Sequence, residues 1–140
     1  MVKELDIETL SILTRSLNTA MVILLAVGLA LRFRPKAHIP IMLTAFAVDL
    51  GNVILVEVYA RQKNEGVGAV EKGLATMIEG QALLPMVHIT VSILCILGYV
   101  VAAITGTLLY RRGILRTAHR WNAAVFILNR LASYVTSFWM

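Results

Sequence analysis

Three histidines, two carboxylates, a methionine and an arginine are the residues of this chain whose types and spacing point to chemistry. His38, His88 and His119 are its only imidazoles, and imidazole is the commonest protein ligand for transition metals and a frequent axial ligand of haem iron. Met42 lies one helical turn beyond His38 and offers a soft thioether. Asp49 and Glu57 are carboxylates inside an apolar stretch, and Arg130 is a cation inside another. Charges in apolar spans are costly, so they normally face a partner and mark function or a structural pair. The single cysteine, Cys95, excludes an internal disulfide and a CxxC knuckle. GxGxxG, Walker, HExxH and GxSxG patterns are absent from the sequence.

The elements that must position these residues are hydrophobic helices. Of 140 residues, 59% are hydrophobic and only 15% charged, with a mean hydropathy of +0.79. A soluble domain is nearer half apolar and a quarter charged. Apolar runs cover residues 10–31, 39–60, 84–110 and 121–140. Each is close to the roughly 20 residues that cross about 30 Å of hydrocarbon. Nothing alternates with period two, so helices rather than a closed barrel must satisfy the backbone in lipid. The expectation is one all-α transmembrane domain over residues 1–140, a four-helix bundle of two helical hairpins. Between the hairpins, residues 61–83 form a longer connection of mixed charge. There Val67, Val70, Leu74 and Ile78 recur at helical spacing, as in an amphipathic helix lying along the interface; extension of the neighbouring helices is the alternative.

Charge placement sets the expected orientation. Arg32, Arg34, Lys36, Arg111, Arg112, Arg116 and Arg120 occupy the two short connections, which contain no acid. Glu4, Asp6, Glu8, Glu65, Glu71 and Glu79 lie on the opposite side. The positive-inside rule then puts the basic connections in the cytoplasm and both termini outside, in the inner (plasma) membrane. The net charge of +5 is thereby read as topology, not as a nucleic-acid surface. The opening MVKELDIE is largely acidic and lacks the basic region of a cleavable signal, so the first helix is expected to be retained.

Within this frame the polar residues fall at three depths. His38 and His119 open their helices on the cytoplasmic side, each after an Ala and a basic loop, and facing imidazoles there suit a haem iron or a transition metal. Asp49 and Arg130 each lie 11 residues further on, about 16 Å in, with opposite sign, and are expected to form an ion pair. Glu57 and His88 share the outer level, where a carboxylate can orient an imidazole or share a metal with it. The candidate metal ligands are therefore His38, His88, His119, Glu57 and Asp49, with His38, His119 and Met42 for a cofactor such as haem b. Iron, copper and zinc all suit this donor set. His88 lies near the opposite membrane face from His38 and His119, so two separate sites are the natural arrangement. A stripe of His88, Ser92, Cys95, Tyr99, Ala102 and Gly106 should face other helices. KAHIPIMLTAFAVDLGN and TAHRWNAAVFILNRLAS form a weak internal repeat.

LNTAMVILLAVGLALRFRPKAHIPIMLTAFA, VHITVS and GTLLYRRGILRTAH together resemble a family of small bacterial four-helix membrane proteins of formerly unknown function. Some of its members are linked to assembly of haem–copper cytochrome oxidase. The matching residues are His38, Met42 and Phe46, then His88, then His119 after the basic loop. The resemblance implies histidine-based metal or haem handling in respiratory oxidase biogenesis or membrane redox chemistry, with oxidase subunits or further copies of the chain as partners. Asp49, Glu57 and Arg130 depart from the largely apolar family pattern and suggest a branch with a carboxylate-containing site. Two other classes compete. One is a non-enzymatic membrane scaffold or subunit whose polar residues fix helix register. The other is an oligomeric proton or ion pathway through Asp49, Glu57 and His88.

Overall fold

The computed structural model describes residues 6–80 and 83–139, apart from the side chain of Met77. Among the described residues five helices follow one another: α1 (Ile7–Ala30), α2 (Pro35–Lys63), α3 (Ala69–Glu79), α4 (Leu83–Arg112) and α5 (Arg116–Ser137). No strand occurs among the described residues. The chain divides into two units, Met1–Lys72 and Gly73–Met140, each built on one helical hairpin.

Local chemistry sets the helix ends. Asp6 caps α1 by accepting the Thr9 N–H at 2.6 Å, which satisfies one of the orphan donors of the first turn. Pro35 opens α2, where its missing N–H costs nothing, and holds Arg34 out of the helical region. Gly113, at φ +68°, and Leu115, at φ 63°, turn the chain between α4 and α5. A leucine in that left-handed region costs roughly 1 kcal/mol, the expense of a three-residue turn.

α1, α2 and α4 are 24, 29 and 30 residues long and apolar enough to cross a membrane. Their outer faces expose large aliphatics, with Ile23 and Leu43 at 58% and Leu97 at 56%. Water would penalise that surface and hydrocarbon does not. α5 lies outside this set, because Arg120, Asn122, Asn129 and Arg130 dilute its apolar residues.

Each hairpin is antiparallel, and small residues let its helices approach. In the first, a Cβ on Gly28 would come within 2.7 Å of Met42 Sδ, and Ala45 is fully enclosed. In the second, a Cβ on Gly98 would come within 2.9 Å of the buried Phe126 ring, which also packs on Tyr99 with centroids 4.5 Å apart. The stripe from His88 to Gly106 runs along the α5 side of α4: Cys95 and Tyr99 are buried, and Gly106 meets the His119 ring. In the middle connection, α3 is a helix in its own right, separated from both α2 and α4.

Candidate functional site

The three histidines share one device. His38 Nδ1 lies 2.7 Å from the carbonyl oxygen of Gly28, across the first hairpin. A carbonyl only accepts, so Nδ1 carries the proton. His88 Nδ1 lies 2.8 Å from Thr136 Oγ1, across the second hairpin. That hydroxyl donates its own proton to the Ala132 carbonyl at 2.8 Å, so it accepts from Nδ1. His119 Nδ1 lies 3.0 Å from Thr105 Oγ1, which itself donates to the Val101 carbonyl at 2.7 Å. All three rings therefore hold a proton on Nδ1, and in the uncharged ring the lone pair sits on Nε2.

Position along the hairpins separates them. His38 and His119 lie beside the short turns of their hairpins. His88 lies toward the open end of the second, 17 residues along α4 from Thr105, or about 25 Å. Neither hairpin alone brings two histidines together. Among the described residues, no group of three His, Cys, Asp or Glu side chains is arranged to hold a metal ion. Met42 folds onto Gly28, the residue whose carbonyl holds His38, so the thioether and the imidazole converge on one point of α1.

The carboxylates have different surroundings. Glu57 Oε1 accepts from Arg61 Nε at 2.9 Å and Oε2 from the Val70 N–H at 3.1 Å, in the first turn of α3. Arg61 also donates to the Gly66 carbonyl at 3.2 Å. A side chain on Gly68 would collide with the Glu57 carboxylate. Glu57 thus organises the corner between α2 and α3. Asp49 is half-buried on α2, three residues before the buried Asn52.

Compared with models of protein families, with curated proteins and with solved structures, the chain matches none.

Asn18, Thr105, Ser133 and Thr136 are the residues of these networks that sequence patterning did not single out. Asn52 Nδ2 donates to Asn18 Oδ1 at 3.2 Å, and Asn52 Oδ1 is buried with no hydrogen bond among the described residues. Ser92 and Ser133 hydroxyls meet at 3.1 Å, and the buried Arg130 donates to Ser133 at 3.2 Å. Asn122 donates to the Gly98 carbonyl at 3.0 Å. The missed signal is a sevenfold spacing that extends the Ala-His repeat. His38, Ala45 and Asn52 line the inner face of α2 as His119, Phe126 and Ser133 line that of α5. Thr105 and Thr136 gave no such signal, because their hydroxyls matter only once the partner helix is in place.

Proposed function

We propose that the chain is a multi-pass integral membrane protein that binds haem b or a transition metal through histidine Nε2 atoms. The observation that supports this reading is the common tautomer of His38, His88 and His119. Metal-ligating histidines almost always donate their other ring N–H to a carbonyl or a similar acceptor, which fixes the ring and aims Nε2. The donor set fits haem or a metal held by single histidines better than a ready-made cluster of carboxylates. His38 with Met42 beside it, His119, and His88 would each offer an Nε2 ligand to a group of its own site; bound there, iron or copper would supply one-electron chemistry. Respiratory oxidase biogenesis or membrane redox chemistry is the setting that the family resemblance suggests.

Four crossings belong to the same proposal. α5 exposes Trp121, Val125, Leu128, Leu131 and Val135 while it buries Arg130 and Ser133. A water-soluble helix does the opposite, so this inverted amphipathicity favours lipid around α5. Trp121 and Trp139, 18 residues apart, would stand about 27 Å from each other, a spacing suited to the two interfaces. The two basic connections, residues 32–38 and 111–119, are then cytoplasmic.

Titration of the detergent-purified protein with haem b, and separately with copper and zinc, tests the ligand claim. We expect saturable binding that His38→Ala, His88→Ala or His119→Ala weakens at least tenfold. Binding unchanged in all three variants would refute it. A scaffold role has its own support, because the same hydrogen bonds fasten α1 to α2 and α4 to α5. That reading predicts destabilised variants and no ligand.

A further inference from the structure

α3 carries its apolar residues on one side and its charges on the other. Val70, Leu74 and Ile78 succeed one another at four-residue steps and are 49%, 42% and 88% exposed. Val67, just before the helix, extends the line at 38% exposure. Glu71, Lys72 and Glu79 are also exposed, and at 100° per residue they fall between about 100° and 200° from Val70 around the axis. No soluble core covers the apolar line. An 11-residue helix with this division gains nothing from water on that side.

Two observations fix what covers it. First, α3 is tethered between two helices that are apolar enough to span a membrane. The chain from Lys63 to Ala69 and from Glu79 to Leu83 reaches at most about 21 Å and 14 Å. α3 therefore stays within reach of a bilayer surface. Second, a Cβ on Gly73 would run into the Ile89 side chain, so the backbone of α3 is packed directly on α4. Ile89 is six residues from Leu83, about 9 Å along α4, so α3 meets the end of the span and not its middle.

We infer that α3 is a lipid-docking helix, lying in the bilayer interface with Val70, Leu74 and Ile78 in the acyl boundary and Glu71, Lys72 and Glu79 in water. The occupant is the lipid surface to which the neighbouring spans already commit the chain. Gly73 eases the close approach of α3 to α4, since a Cβ there would have to displace the Ile89 side chain.

Site-directed spin labels test this in full-length protein reconstituted into phosphatidylcholine–phosphatidylglycerol vesicles. Cysteines are introduced singly as Glu71→Cys, Leu74→Cys, Ile78→Cys and Glu79→Cys. Native Cys95 is 3% exposed and stays in place, with unmodified protein as the labelling control. The expected result is a ratio of oxygen to aqueous nickel-chelate collisions several-fold higher at positions 74 and 78 than at 71 and 79. Equal aqueous access at all four positions would overturn the inference. So would positions 74 and 78 shielded from both reagents, which is the signature of a protein partner. Peptide-level hydrogen exchange on the unmodified chain gives a check free of labels. The inference requires residues 69–79 to exchange more slowly in vesicles than in dilute short-chain detergent, and equal rates would overturn it.

Discussion

The proton on Nδ1 decides what each histidine offers. Thr105 and Thr136 fix that proton for His119 and His88. Thr136→Val keeps the shape and deletes the acceptor. It should lower haem or metal affinity at His88 by about 10-fold to 100-fold, the usual effect of losing such a partner. Thr136→Ser should restore most of it, which a titration of the three proteins reads directly. Asp6 gives a second residue-scale prediction, independent of any ligand. Hydrogen bonds from the Thr9 N–H hold its carboxyl below the ordinary carboxylate range. A group depressed on folding stabilises above its unfolded pKa, and the effect disappears as pH falls through the folded value. Amide exchange in the first turn of α1 should therefore speed up on acidification through and below the ordinary carboxylate pKa, relative to the helix centre. In Asp6→Ala that pH dependence should be absent. The histidines were legible in the sequence as candidates. Their tautomers were not, because the acceptors come from helices 10 to 48 residues away in the chain.

At the scale of elements, glycines set how closely helices pack. Gly98→Ala would press a methyl into the Phe126 ring, which is buried and cannot swing aside. We expect a loss of about 1–3 kcal/mol in the second hairpin, measured by unfolding in mixed micelles. Gly28→Ala meets only the flexible end of Met42 and should cost less. Gly68→Ala should open the corner that Glu57 closes, with faster exchange at residues 66–72 as the readout. Glu57 divides its two oxygens: Oε2 accepts from the Val70 N–H in the first turn of α3, and Oε1 accepts from Arg61 one turn further along α2. An amphipathic α3 was readable from Val70, Leu74 and Ile78. Its N-terminal capping by a residue 13 positions earlier was not.

For the whole molecule, composition carried the membrane assignment, and three helices satisfy it by length and apolarity. The fourth crossing rests on which face of α5 is apolar, a property invisible to average hydropathy. The central claim is that the histidines hold haem or a metal. It is tested most directly by the visible spectrum and metal content of the protein purified in mild detergent. The expected result is a Soret band, or stoichiometric iron, copper or zinc, that is lost on substitution of the liganding histidine. Neither signal, even after reconstitution, would contradict it.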